Sequence, residues 1–335
     1  MKTNLSCFAL LILVASAPGF AQDQPQKPQV PATQAVQAQS APDTKAPDRA
    51  SSYYHYSLAH MYEEMAAAYG RVEYANKAID EYKKAIEADP GSEFLNAGLA
   101  ELYFRTGRIR DAVLEAQDII KREPNNVDAR RLLGRIYLRT LGDTEAGAPS
   151  ANILKLAIEQ YEAIVRLQPN SIEDHLLLGR LYKLADDRVK AEQEFQTAIK
   201  LQPNSEEAVT TLALLYNDEG DYTRALNALQ AIPDKERTVK TFSVLGFTYE
   251  QKKDYKNAID AYGKAVEQDP ENLDAKRGLA QNQLNAGRME DALQQYKQII
   301  DADPQDAQSY MQIAEIYRRD GRFDEALQML KKAQT

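Results

Sequence analysis

One sequence pattern recurs about every 34 residues along this chain, and this period is the feature that most restricts its fold. Three residue types carry the period in the same register. The tyrosines are Tyr69, Tyr103, Tyr137, Tyr182, Tyr216, Tyr249 and Tyr317, with Gln283 where one more is due. The alanines are Ala78, Ala112, Ala157, Ala191, Ala225, Ala258, Ala292 and Ala326. The prolines are Pro90, Pro124, Pro169, Pro203, Pro270 and Pro304. Such a period predicts an array of one supersecondary unit, an architecture typical of binding surfaces.

The repeated unit has the features of two helices joined by a turn. Apolar and small residues recur at helical spacing before each tyrosine position, which predicts a first amphipathic helix. A glycine such as Gly107 or Gly220 then marks a sharp turn. The second helix carries the alanine, with an aromatic or apolar residue four positions later, as in Ala258 and Tyr262. A proline ends this helix because the residue before proline resists helical geometry. We therefore expect sixteen repeat helices and tyrosines packed between repeats.

Residues 239–272 contain the most complete copy and resemble the tetratricopeptide repeat. The matching residues are Leu245, Gly246, Tyr249, Ala258, Tyr262, Ala265 and Pro270. The resemblance implies an all-α fold, a right-handed superhelical solenoid of helix–turn–helix repeats. The eight copies are predicted at 59–92, 93–126, 127–171, 172–205, 206–238, 239–272, 273–306 and 307–335, within a solenoid of 51–335.

Two copies depart from the common length. The 127–171 copy has eleven extra residues, and the sequence predicts a long loop over 140–150 because this stretch is rich in Gly, Asp, Thr, Ala and Pro. The 206–238 copy is one residue short, and its second helix is expected to stop early at Pro233. A helix that begins near Ser51, before the first copy, is expected to cap the stack.

The first fifty residues have a different composition. Lys2, the apolar run 5–14 and the small residues ending at Ala21 predict a signal peptide over 1–21. The apolar run is too short to span a bilayer. Residues 22–50 consist almost wholly of Gln, Pro, Ala, Asp, Lys, Ser, Thr and Val, which predicts a disordered linker. We expect an exported protein, periplasmic or secreted, that begins at Gln22 and contains no cysteine, since Cys7 is the only one.

Catalytic and cofactor motifs are not found in the sequence. His55, His60 and His175 have no metal-ligand spacing, and there is no Gly-x-Ser-x-Gly, phosphate-binding glycine loop or Cys-x-x-Cys. The formal charge of -9 argues against nucleic acid as a partner. We therefore predict a protein that is not an enzyme, with no catalytic residue, metal or cofactor, and with a protein or peptide as its partner.

The resemblance implies that first-helix side chains line the inner groove at positions 2, 5, 9, 12 and 13 of each copy. Carried onto this chain, the third and fourth copies place basic residues on neighbouring turns of that groove. The candidate partner-binding residues are Arg131, Arg135, Arg139, Arg180 and Lys183. The alternative is scattered solvated charge, paired with Asp128 or Glu173.

Two function classes remain open from the sequence. The first is an exported scaffold whose concave groove holds a partner peptide or helix, in cell-envelope, secretion or polysaccharide assembly. The second is a substrate-holding accessory module of an enzyme complex for sugar transfer or proteolysis, with the catalytic part absent from this chain. The last helix carries Phe323, Leu327 and Leu330 on one stripe. This stripe predicts self-association through the C-terminal helix, because soluble monomers rarely leave such patches uncovered.

Overall fold

The structure, a computed structural model, describes residues 47–143 and 148–334. Over these residues it contains sixteen α-helices and one short 3-10 helix, and no strand. The first eight helices are α1 Arg49–Tyr69, α2 Val72–Ala88, α3 Glu93–Arg105, α4 Ile109–Arg122, α5 Val127–Asp143, α6 Ala148–Leu167, α7 Ile172–Leu184 and α8 Arg188–Leu201. The others are α9 Glu206–Asp218, α10 Tyr222–Leu229, η1 Asp234–Glu236, α11 Val239–Gln251, α12 Tyr255–Gln268, α13 Leu273–Asn285, α14 Met289–Ala302, α15 Ala307–Arg319 and α16 Phe323–Lys332. The prediction of an all-helical array with sixteen repeat helices is confirmed.

Consecutive helices pack in pairs, and each pair contacts the next, which gives a superhelix of helical repeats. First helices of successive repeats also contact each other directly. For example, α3 contacts α5, and α9 contacts α11. In five pairs the first helix is followed by a glycine in the left-handed region, whereas Asp186 and Lys253 take this conformation after α7 and α11. At Gly107 the φ angle is +76°. There the Arg108 N–H donates to the Tyr103 carbonyl and the Gly107 N–H to that of Phe104. This pairing satisfies carbonyls that the end of a helix leaves free.

The alanine positions form the centre of the array. Seven of the eight alanines are fully buried, and Ala326 of the last repeat is 7% exposed. Most of the tyrosines are also buried, but Tyr69 is 66% exposed. The expectation that every tyrosine packs between repeats is therefore wrong for Tyr69, which lies at the last turn of α1 beside the left-handed Gly70. Gln283 is buried at the position of the missing tyrosine.

Small residues on the first helices make room for aromatic rings of the second helices. A Cβ added to Gly246 would lie 2.7 Å from the Tyr262 ring, and one added to Gly134 would lie 2.6 Å from the Tyr161 ring. Both rings are buried. Side-chain size at these positions therefore sets how closely the paired helices approach.

The two copies of unusual length differ from their predicted structures. The loop expected over 140–150 is wrong for residues 140–143, which continue α5, and for residues 148–150, which begin α6. Two features favour these extensions. Thr140 Oγ1 donates to the Ile136 carbonyl, and Ile153 and Leu154 on α6 pack against the core. In the short copy, α10 ends at Leu229, four residues before Pro233.

At the amino-terminal end, α1 begins at Arg49, where the Asp48 side chain accepts from the Ser51 N–H. Two residues of the predicted linker therefore belong to this helix, which starts well before the first copy. The predicted signal peptide 1–21 and residues 22–46 lie outside the described residues. Within the described residues, no helix has the length and apolar character needed to cross a membrane.

Candidate functional site

The five candidate basic residues lie on two neighbouring first helices. Arg131, Arg135 and Arg139 are on α5, and Arg180 and Lys183 are on α7. They do not form a free positive patch, because four of the five have a carboxylate partner on an adjacent repeat. None of these four ion pairs involves Asp128 or Glu173, the two carboxylates that the sequence suggested as partners.

The pair between Arg131 and Asp174 is the most buried of the four. The Arg131 Nη2 donates to Asp174 Oδ2 over 2.9 Å and to Gln168 Oε1 over 3.2 Å. The Asp174 side chain is 2% exposed. Burial acts to raise the pKa of Asp174, but hydrogen bonds from Arg131 and Ser171 outweigh it, so its pKa lies below the ordinary value. This ion pair fastens the first helix of repeat 4 to that of repeat 3.

The other three pairs are partly solvent-exposed. Arg135 donates to Glu101 of repeat 2, and Arg180 donates to Glu207 of repeat 5. The Lys183 Nζ lies 2.6 Å from a carboxylate oxygen of Asp218, also of repeat 5. Exposed ion pairs of this kind stabilise a protein weakly, so their carboxylates can be exchanged for those of a partner at small cost.

Arg139 is placed differently from the other four. Its guanidinium carbon lies 5.6 Å from the centroid of the Phe104 ring, and that of Arg135 lies 5.2 Å from the same centroid. Both distances are within the range of a cation–π interaction. Phe104 therefore orients two of the candidate arginines on one surface.

A groove of about 470 Å³ lies between α3 and α5, next to these side chains. Ala97 and Gly98 form part of its wall, and a Cβ at Gly98 would lie 2.8 Å from the Tyr82 ring. Phe94 lines the same groove and is 62% exposed. Small wall residues, an exposed aromatic ring and paired charges provide the features of a site for an extended or helical segment.

Phe94 and Phe104 were not among the residues selected from the sequence. They occupy positions 2 and 12 of the second copy, both of which the resemblance assigns to the groove. The selection followed charge alone, and a search of those positions for aromatic residues finds both. Among the described residues there is no cluster of His, Cys, Asp and Glu suited to a metal ion.

The stacked helix pairs and their charged first-helix surface define a repeat scaffold for protein–protein interaction, a class that is typically non-catalytic. A family model described as Tetratricopeptide repeat matches residues 75–136, 250–316 and 286–334. A model described as Anaphase-promoting complex, cyclosome, subunit 3 matches residues 190–265. These matches and the all-helical array of paired helices support a protein of the tetratricopeptide repeat family.

Several solved structures are similar to parts of this chain. The crystal structure of MamA is similar at 24% identity and a TM-score of 0.44, over 47% of this chain and 92% of that one. YrrB, a TPR protein with an unusual peptide-binding site, is similar at 20% identity and a TM-score of 0.45, over 53% of this chain and 92% of that one. A chain of the APC/C hetero-tetramer Cut9–Hcn1 is similar at 16% identity and a TM-score of 0.46, over 77% of this chain and 49% of that one.

Proposed function

We propose that this chain is an exported scaffold that holds an extended or helical segment of a partner protein against the first helices of repeats 2 to 4, within a cell-envelope assembly for secretion or polysaccharide export. The observation that carries this proposal is the groove between α3 and α5, with the exposed Phe94 beside the small residues Ala97 and Gly98. An exposed aromatic ring next to a recess is a suitable contact for an apolar anchor residue.

The charged rim supplies the polar part of the recognition. An acidic residue of the partner can take the place of Glu101 on Arg135, since both side chains of that pair remain partly exposed. Arg139 has an aromatic neighbour and makes no ion pair with the described carboxylates, so it is available to a second carboxylate. Opposite charges of this kind set the register and the encounter rate of a bound segment.

The groove is tested with the partner isolated by affinity purification from an envelope fraction. The substitution Ala97→Trp fills the groove between α3 and α5. We expect it to lower the affinity for the partner by at least about tenfold, or 1.4 kcal/mol. Leu114→Trp is the control, because Leu114 is an exposed apolar residue of α4 outside the groove. Equal affinity of the Ala97→Trp variant and the wild type contradicts the proposed site.

A charge exchange distinguishes a role of Arg135 in partner binding from its role in packing between repeats. Arg135→Glu breaks the pair with Glu101, whereas Arg135→Glu combined with Glu101→Arg restores an ion pair with the charges reversed. If Arg135 contacts the partner, both variants bind weakly at low salt. Binding that recovers fully in the exchanged variant assigns Arg135 to repeat packing alone and removes it from the site.

Export rests on the pattern from Lys2 to Ala21. We expect the mature protein to begin at Gln22, and amino-terminal sequencing of the exported protein measures this directly. A mature chain that retains Met1 contradicts export by this route.

We also propose that copies of the chain associate through α16. Phe323, Leu327 and Leu330 on this helix are 68%, 52% and 49% exposed. They form an apolar stripe on a helix whose Ala326 is buried against the array. Burial of such a stripe against a second copy removes its apolar surface from water.

A further inference from the structure

The second helix of repeat 5 is much shorter than its counterparts. α10 has 8 residues, whereas α4, α8, α12 and α14 have 14 each. Pro233 stands where the others continue as helix, and proline lacks the N–H that would donate to the Leu229 carbonyl. The chain therefore leaves the helix about six residues early, which removes about 9 Å of helix at 1.5 Å per residue.

Of residues 230–238, which follow α10, only Ala231 lines the space next to α8, and the Arg237 end of the segment is bonded to repeat 6. The Arg237 Nε donates to the Ile232 carbonyl over 3.1 Å, and the Gln268 Nε2 on α12 donates to the Arg237 carbonyl over 3.0 Å. Ile232 is 2% exposed and belongs to the core. The bond from Gln268 therefore holds Arg237 beside the end of α12.

A groove of about 430 Å³ remains between α8, α9 and α10. Its apolar lining includes Ile199, Val209, Leu212, Ala228 and Ala231. The charged residues that line it are Lys200 and Arg224, and no carboxylate lines it although the chain has 50 acidic residues. Two second helices form its sides, so this groove is separate from the one between α3 and α5.

We propose that this groove binds an acidic amphipathic helix of a partner protein, with apolar anchor residues on one face. A helix fits because the missing part of the wall is itself the end of a helix. The aliphatic lining takes the anchor residues, and Lys200 pairs with an acidic residue beside them. Within the described part of the chain, no ion pair involves Lys200.

Arg224 lies at the edge of the same groove but adds no net positive charge to it. Its guanidinium carbon lies 4.3 Å from the centroid of the Tyr216 ring, and its nitrogens bond to Glu192, Glu219 and Asp221. These three carboxylates lie outside the lining and compensate the charge of Arg224. Selection of an acidic helix therefore depends mainly on Lys200, which makes this residue the position to test.

The test uses a synthetic peptide of about 16 residues, long enough for partial helicity, with leucine at i, i+4 and i+8 and glutamate at the flanking positions. A second peptide has lysine in place of each glutamate. We expect the acidic peptide to bind the full chain at least about tenfold more tightly than the basic one. Hydrogen exchange of the complex is expected to slow in α8 and α10 and to stay unchanged in α3 and α5.

Two variants and one control locate the binding. Ala231→Trp fills the groove from an exposed position, and we expect a loss of affinity of about tenfold. Lys200→Glu is expected to lower affinity for the acidic peptide and raise it for the basic one. Lys235→Glu makes the same charge change at a residue of η1 outside the lining and is expected to leave both affinities unchanged. Equal binding of the two peptides, no binding of either, or unchanged affinity of the Ala231→Trp variant overturns the proposal.

Discussion

At the scale of single residues, carboxylates from adjacent repeats compensate four of the five candidate basic side chains of α5 and α7. Arg131 and Asp174 illustrate why this pairing matters for stability. The Asp174 side chain is almost fully buried, so its negative charge depends on the hydrogen bonds from Arg131 and on those of the helix start at Ser171. A buried carboxylate without such partners would lose much of its solvation energy without compensation.

We predict that Asp174→Asn destabilises the protein by about 2 kcal/mol at neutral pH. This is less than the loss at a fully buried pair, because Arg131 stays partly hydrated when its partner is neutral. The measurement is the urea midpoint of unfolding. Glu173→Gln is the matched control, since Glu173 is an exposed acid in the same helical turn, and its effect is expected to stay within about 0.5 kcal/mol.

The same pair has a defined pH dependence. The folded-state pKa of Asp174 is lowered, so its contribution to stability is fully present above the ordinary Asp pKa of about 4 and is lost as the pH falls toward the folded-state value. The difference in stability between wild type and Asp174→Asn is therefore expected to shrink below about pH 4. A difference that stays constant or grows in acid contradicts this account.

The repeat period placed the arginines correctly on the first helices but did not identify their partners. Arg135 pairs with Glu101 in the repeat before it, and Arg180 pairs with Glu207 in the repeat after it. Such pairs depend on the offset and rotation between adjacent repeats. Sequence spacing does not specify these two quantities, so reasoning within one repeat considered Asp128 and Glu173 instead.

At the scale of helices, glycines on first helices set the packing distance where they face an aromatic ring of the paired second helix. Gly246 of α11 lies against the buried ring of Tyr262 on α12, whereas Gly263 on α12 has open space where its Cβ would lie. Both glycines are inside helices. They therefore separate the effect of close packing from the effect of helix propensity.

We predict that Gly246→Ala destabilises the protein by about 1–3 kcal/mol, because the new methyl group must displace the Tyr262 ring. Gly263→Ala is expected to stabilise by about 0.5–1 kcal/mol, because alanine favours the helix and meets no neighbour. Urea unfolding followed by circular dichroism measures both. Equal effects of the two substitutions would show that the Tyr262 contact does not limit packing.

The helices also show which structural features the sequence patterns predict correctly. The alanine and turn-glycine patterns identified paired helices because each has a local cause in backbone conformation and side-chain size. The pattern did not predict that α5 and α6 extend into the eleven-residue insert. Glycine, proline and polar residues there favour a loop locally, whereas packing of Ile153 and Leu154 against the core stabilises the longer α6.

At the scale of the whole molecule, the described array presents apolar surface at α16 as well as at its two grooves. We predict that the wild-type protein sediments as more than one species at micromolar concentration, because association buries Phe323, Leu327 and Leu330. Leu327→Glu combined with Leu330→Glu is expected to give a single monomeric species.

Gln328→Glu is the control for this experiment, because Gln328 is an exposed neighbour on α16 and its change adds charge without removing apolar surface. This variant is expected to associate as the wild type does. A wild-type protein that sediments as one monomeric species across the concentration range contradicts association through α16.

The central claim is that the first helices of repeats 2 to 4 hold a partner protein, and site-specific photo-crosslinking in the producing cells tests it most directly. A photoreactive residue at Ala97 in the groove is compared with one at Leu114, which is exposed on α4 outside the groove. We predict one discrete covalent adduct from position 97 that is lost with Phe94→Ala, and no such adduct from position 114. An adduct from position 114 alone, or none from position 97, would contradict the claim.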